Sequence, residues 1–396
     1  MNFDNTTVTL FEVSWEVCNK VGGIYSVVSS KALQAVEQFG EDYFLLGPSL
    51  AENVGFEETD ENIWDSLRLA FATKDLKCRM GRWNIPGRPK AILVDFSKRY
   101  SSNQLLYDLW KNYGVDSLSG GWDYIEPVMF ATACSAVIAA IHESRVEPLE
   151  GRSVALFHEW MSGAGLLSLK RLSPGIGTVF TTHATMLGRA MAGTGRDIYS
   201  NLRSINPANE AAALNITAKW SLEGASAREA DVFTTVSPIT GEESAVLLGR
   251  QPDVITTNGL DMRVIPDYSV DRSRPAEHRA RIVEASSRFL RCELPANTRI
   301  FAISGRYEMH NKGVDAVVAR MNLQYKVPLQ CDDEFLSRLW LEKQGVRYVF
   351  HQDIFRAKDE KLCLKATVEL VCLINGKLGN SEDYDKAFEK YFSSQG

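Results

Sequence analysis

The chain is short of several features that would settle its class at once. Its seven cysteines include no Cys-x-x-Cys pair. Their odd number and scatter argue for free thiols in a reducing compartment rather than a disulfide frame or a zinc site. No block of basic residues stands out, and 44 Lys and Arg against 50 Asp and Glu leave a formal net charge of −6. That balance argues against a nucleic-acid partner held by phosphate neutralisation. The first residues, Met1-Asn2-Phe3-Asp4-Asn5, lack a charged-then-apolar leader, and no apolar run reads as long enough to span a bilayer. A cytoplasmic protein without a membrane partner is expected. Internal repeats and low-complexity stretches are missing. So is the Gly-x-Ser-x-Gly elbow, which argues against a serine hydrolase. The Walker loop and the dinucleotide fingerprint are missing as well.

What is present is a series of short apolar, β-branched runs separated by helical spacing. Val8 to Trp15, Tyr43 to Pro48, Ala91 to Phe96, Val154 to Trp160, Gly177 to Thr182, Asp231 to Ser237 and Val254 to Gly259 read as strands. Helices are expected over Ile24 to Phe39, Ser102 to Tyr113, Val128 to His142 and the leucine-rich stretch after Gly165. Residues 51–90 read as an elaboration on the sheet. Strands alternating with helices predict a doubly wound parallel α/β lobe, whose ligands sit at the carboxyl ends of the strands. Lys20, His158-Glu159, His183, Ser237 and Asn258 all fall at such ends. One histidine after a strand is usually structural, but several polar breaks along one edge point to a site.

The loop Asn19-Lys20-Val21-Gly22-Gly23-Ile24-Tyr25 lies between the first strand and the first helix. Glycines let a backbone approach a ligand, and a helix N-terminus offers free N–H groups and partial positive charge. The loop therefore reads either as an anion cradle or as a tight turn with an exposed lysine. Further on, Arg299 to Gly305 reads as a strand opening a second sheet. It runs into Arg306-Tyr307-Glu308-Met309-His310-Asn311-Lys312-Gly313 and then a helix from Val314 to about Tyr325. Asp383-Tyr384-Asp385 has the spacing of a metal-binding pair but lies in a charged tail, which favours a solvated surface. Two domains are the default expectation at 396 residues.

Taken in order, these blocks resemble the glycogen synthases of the animal, fungal and some bacterial type. The stretches that carry the likeness are Phe11 to Val17 with Asn19 to Tyr25, Phe157-His158-Glu159-Trp160, and Phe180 to Arg189. Phe233 to Ser237, Thr257 to Leu260 and Gly305 to Gly313 complete it, so that it covers about residues 8–320. The resemblance implies the two-lobed glycosyltransferase fold called GT-B. Residues 1–264 would be an N-terminal Rossmann-like acceptor and catalytic lobe, and 265–325 a linker and the start of a nucleotide-sugar lobe. It implies transfer of glucose, with retention, from UDP-glucose or ADP-glucose to glycogen or another α-1,4-glucan, without a cofactor or metal. A homo-oligomer is compatible with it.

By carry-over, Lys20 and the Gly22-Gly23 backbone would face the nucleotide and diphosphate. His183 and Arg189 would contact the donor sugar, and Arg306 and Lys312 would neutralise the leaving phosphate. His158, Glu159 and Asn258 are secondary candidates. Fixed cations suit a reaction in which charge grows on the departing phosphate. Three departures accompany the likeness. Pro266-Asp267-Tyr268-Ser269-Val270 does not match the family's glucose-6-phosphate sensor, and Trp220 stands where a smaller or more polar residue is expected. The family's second lobe also continues with a glutamate pair in a Glu-Pro-x-Gly context, which residues 326–396 lack. That segment reads as helices over Asp333–Lys343, Glu360–Ile374 and Ser381–Phe392 with a strand at Val346–Phe350, and matches nothing in the family. The donor lobe is thus expected to be incomplete and the activity weak or lost. The alternative function is a non-catalytic lobe that binds glucan or a partner.

Overall fold

The structure is a computed structural model that describes residues 8–97, 103–144, 153–259, 261, 263, 274–290, 293–295, 297, 316–327, 334–374, 377–380, 382 and 385–386. Met1–Met191 and Arg196–Ala302 form one compact unit, and Ile303–Gly396 with Ala192–Gly195 another.

The first unit begins with β1 (Thr9–Val13), α1 (Gly23–Phe39) and β2 (Tyr43–Pro48), followed by β3 (Phe56–Glu58), α2 (Asp65–Thr73), β4 (Cys78–Trp83) and β5 (Lys90–Val94). Next come α3 (Asn103–Tyr113), α4 (Trp122–Ser144), β6 (Ser153–His158), α5 (Trp160–Leu172), β7 (Gly177–Thr182) and α6 (Met186–Gly193). The unit ends with α7 (Pro207–Ala213), α8 (Thr217–Glu229), β8 (Val232–Thr235), α9 (Pro238–Leu247), β9 (Val254–Ile255) and α10 (Arg274–Leu290). Its sheet has the order β3-β4-β5-β2-β1-β6-β7-β8-β9. From β5 to β9 all pairs are parallel. The expected elaboration over residues 51–90 supplies two antiparallel edge strands, β3 and β4. From β1 the chain winds one way through β2 and β5, then returns to place β6 on the other side. The crevice at β1 and β6 is therefore the switch point where such sheets bind ligands.

Apolar side chains on both faces bury the sheet. One face carries the larger core, with Phe11, Val13, Ile92, Phe157 and Phe180 against α4, α5 and α8. The other carries Leu45, Ala91, Leu93 and Trp83 against Val28 of α1. Contrary to the reading of the sequence, one helix among the described residues is apolar and long enough to cross a membrane. This is α4, with a mean hydropathy of 1.7, but 83% of that stretch is buried inside the fold. A helix that is apolar all round is a core helix when protein surrounds it. Gly165 lets α5 close on α4: a Cβ there would stand 2.6 Å from the Ala131 carbonyl oxygen. Trp220, unexplained by the sequence, ties α8 to the end of α9 by donating its indole N–H to the Leu247 carbonyl at 2.7 Å.

The second unit differs from expectation. β10 (Ala316–Tyr325), β11 (Phe335–Gln344), β12 (Arg347–Arg356), β13 (Leu362–Ile374) and β14 (Lys377–Gly379) form an antiparallel sheet of order β10-β13-β12-β11, with β14 on β13. The stretches read as helices from Val314 to Tyr325, Asp333 to Lys343 and Glu360 to Ile374 thus contain strands, over Ala316–Tyr325, from Phe335 onward and from Leu362 onward. Leu336, Leu339, Trp340 and Lys343 have helical spacing, but β11 and β12 are joined by a two-residue turn. Gly345 stands at its first central position with φ +63°, the geometry that closes a hairpin. The expected strand at Val346–Phe350 lies in β12. Asp385 is an ion-pair partner of Lys343 at 2.6 Å and accepts from the Tyr348 hydroxyl at 2.8 Å. Most of Ser381–Phe392 lies outside the described residues.

Candidate functional site at the carboxyl ends of the strands

Where β6, β7, β8 and β9 end, a pocket of about 400 Å³ opens. His158, His183, Val236, Thr257 and Asn258 line it from the strand ends, and Val27, Ser30, Lys31 and Gln34 from α1. Of the residues named from the sequence, His158, His183 and Asn258 meet here. Glu159 is buried beside them, and Arg189 lies 3.9 Å from it. Lys20, Gly22 and Gly23 are not in the lining. Arg306 and Lys312 lie outside the described residues.

The loop after β1 is built differently from a free anion cradle. Its helix N-terminus already holds a carboxylate, because Oε2 of Glu16 accepts from the Gly22 N–H at 2.9 Å and the Tyr25 N–H at 2.7 Å. A negative side chain there caps orphan amides and complements the helix dipole. A Cβ at Gly22 would stand 2.6 Å from Oε1 of Glu16, so a larger residue would make that carboxylate shift. Lys20 is exposed, with its ammonium 5.6 Å from the Tyr25 ring centroid. Ser237 turns out to be a helix cap: its side chain accepts from the Thr240 N–H at 3.1 Å and opens α9.

The segment that carries His183 is fixed by three glutamates, two of which the sequence reading passed over. Oε1 of Glu159 accepts from the N–H groups of His183 and Ala184 at 3.1 and 3.2 Å. Glu223 of α8 accepts from the Met186 N–H at 2.8 Å and from the Thr182 hydroxyl. Glu243 of α9 accepts from the hydroxyls of Thr185 and Tyr199. Burial raises the pKa of Glu159, against the opposing pull of Arg189 and the two amides. Burial together with the Glu159 charge pushes Glu223 well above the usual carboxylate range. Glu159 also holds φ +64°, ψ 167°, a region almost reserved for glycine that costs about 1–3 kcal/mol. The strain turns its carboxylate under the loop while its backbone opens α5.

Beneath His183 lies a second buried group, also missed. Glu12 of β1 is fully buried and accepts from the Tyr43 hydroxyl at 2.5 Å, His158 Nε2 at 2.6 Å and the Lys31 ammonium at 2.6 Å. Burial alone would raise its pKa, but Lys31 and His158 outweigh that and hold it well below the usual range. His158 in turn stands 2.9 Å from His183, Nδ1 to Nε2. Burial keeps the pKa of His158 low. Burial, His158 and Lys31 bring that of His183 down to about 3. Both rings are therefore uncharged at neutral pH. Among the described residues no group of three or more His, Cys, Asp or Glu side chains is arranged to hold a metal ion. The signal for Glu12 was available: a carboxylate inside an apolar strand survives burial only with partners.

Comparison with known proteins identifies the family of the chain. The family model described as glycogen synthase matches residues 12–338. The rat liver glycogen [starch] synthase is 36% identical over 315 residues, covering 77% of this chain and 44% of that protein. Isoform 2 of Saccharomyces cerevisiae is 35% identical over 350 residues, 83% of this chain and 49% of the relative. The chain thus spans about half the length of the curated relatives it matches. Among solved structures, an α,α-trehalose 6-phosphate synthase from Burkholderia multivorans is 10% identical. It covers 61% of this chain and 42% of its own, with a TM-score of 0.30. A putative acyl-CoA thioesterase from Xanthomonas campestris is 25% identical over 27% of this chain and 80% of its own, with a TM-score of 0.16. Neither superposition is close enough to bear on fold or function. The match over residues 12–338 and the identity to animal and fungal relatives establish that the chain belongs to the glycogen synthase family.

Proposed function

We propose that this chain is a cytoplasmic glucosyltransferase of the glycogen synthase type. It would transfer glucose with retention from UDP-glucose or ADP-glucose to the non-reducing end of an α-1,4-glucan, within a two-lobed GT-B architecture. The observation that carries the reading is the pocket between α1 and the carboxyl-terminal halves of β6, β7 and β8, with His183 and Asn258 in its wall. An uncharged His183 can hydrogen-bond a sugar without placing a cation beside a reacting centre that becomes oxocarbenium-like. Charge grows instead on the departing phosphate, where Lys20, Arg306 and Lys312 would act. Fixed cations there stabilise the transition state more than the ground state. The experiment is incubation of the purified chain with labelled UDP-glucose or ADP-glucose and glycogen. Incorporation is expected with one donor, and its absence with both refutes an active synthase.

One observation favours a second reading. The described part of residues 316–379 is antiparallel sheet rather than the parallel α/β structure the resemblance implies for a donor lobe. A lobe that binds glucan without transferring glucose would sediment with glycogen and show no affinity for nucleotide sugars. Failure to sediment removes this reading.

A further inference from the structure

The chain of contacts from Glu12 to the pocket fixes more than position. Glu12 is an anion and can only accept, so Nε2 of His158 must carry the proton that bridges their 2.6 Å contact. An uncharged His158 then has a bare Nδ1. That atom, 2.9 Å from Nε2 of His183, can only accept, so the second bridging proton belongs to His183. The Nδ1 of His183 is left as a lone pair. The order would reverse if His158 became a cation: it would donate from both nitrogens, and His183 would turn Nδ1–H outward. Lys31, 2.6 Å from the same Glu12 oxygen, already neutralises the carboxylate and makes a second cation unfavourable. Tyr43, at the other oxygen, donates and leaves this order unchanged.

We propose that Glu12 is a positioning residue which, through His158 and with Lys31 as counter-charge, locks His183 in its Nε2-protonated tautomer and so presents Nδ1 as a hydrogen-bond acceptor. The partner suited to that acceptor is a hydroxyl of the bound sugar. This consequence rests on the glucosyl-transfer reading, whereas the tautomer itself does not. Other charged groups face the same rings, namely Glu16 toward His158 and Arg189 toward His183. Glu159 meets His183 through its backbone. None of the three interposes a donor or acceptor between the two rings.

The test is a two-bond 1H–15N spectrum of the full chain labelled at its histidine imidazoles, with His183 assigned by its loss in His183→Asn. At pH 7 the expected pattern is a protonated Nε2 and a bare Nδ1. A protonated Nδ1 in the wild-type chain overturns the proposal, whether or not glucose transfer is found. Lys31→Met, at a side chain 38% exposed, removes a charge that opposes protonation of His158; followed from pH 7 to 5, His158 should take up its proton at a higher pH than in the wild type, and His183 should then exchange its tautomer. An unchanged His183 pattern across that range, in a variant that still unfolds cooperatively, removes Lys31 from the mechanism. Where transfer is measurable, Glu12→Leu, which removes the acceptor opposite Nε2 of His158, should lower kcat about tenfold with KM for the nucleotide sugar little altered. A purely structural role would lower the active fraction and leave His183 unshifted in the folded molecules. If Glu12→Leu fails to fold, the wild-type and Lys31→Met spectra decide.

Discussion

Replacing Glu223 with glutamine should make the chain more stable, increasingly so as pH rises. Glu223 is fully buried, and burial with the Glu159 charge raises its pKa well above the usual range. In the native state it therefore keeps its proton at pH values where the unfolded chain has lost it. The native state then binds more protons, so the stability of the wild type falls as pH climbs from the ordinary carboxylate range toward the raised value. The fall is about 1.4 kcal/mol per pH unit for one such group. Glutamine has no proton to lose and escapes it. It also keeps the geometry: its carbonyl can accept from the Met186 N–H, 2.8 Å from the carboxylate oxygen now, and its amide can donate to the Thr182 hydroxyl. Denaturant unfolding of both proteins from pH 5 to 9 measures the difference directly. The two should agree within about 1 kcal/mol at pH 5 and diverge as pH rises, with a limiting slope of about 1.4 kcal/mol per pH unit. Parallel curves, or a glutamine variant that is less stable at every pH, would show that the site needs an anion and refute the reasoning.

Glu16→Ala removes the acceptor of two amides at the start of α1. It should cost about 1–2 kcal/mol and speed hydrogen exchange of the Gly22 and Tyr25 amides. Gly165→Ala drives a Cβ to 2.6 Å from the Ala131 carbonyl oxygen where neither helix can yield; a loss of about 1–3 kcal/mol in equilibrium unfolding is expected. Gly345→Val puts a β-branched residue at φ +63° in the β11–β12 turn. About 1–2 kcal/mol should disappear from that hairpin, seen as faster exchange of its paired amides.

The parallel sheet was legible because its strands, buried on both faces, stand out as β-branched apolar runs, and the polar residues that end them mark one edge. The second unit was not, since Leu336, Leu339 and Trp340 fall at helical spacing and break the alternation that marks a strand. Only the turn at Gly345 decides between helix and strand. Within the site, His183, His158 and Asn258 could be read from their places after strands. Glu12, Lys31 and Tyr43 could not be matched, because a buried ion group is assembled from distant parts of the chain and no local pattern pairs them. The glycine loop was read for its free amides, and Glu16, only six residues before Gly22, supplies the anion that occupies two of them.

That distance has a bearing on synthesis. Glu12 and His158 are 146 residues apart in sequence, yet β1 and β6 are neighbours in the sheet. A nascent chain emerges from its N-terminus, and structure forms as segments become available. Before β6 emerges, Glu12 can already meet Lys31 of α1 and Tyr43 of β2, its partners at 2.6 and 2.5 Å. The His158 contact is the last of the three to become available as the chain is made, so the link from the buried carboxylate to the pocket can close only once β6 is beside β1.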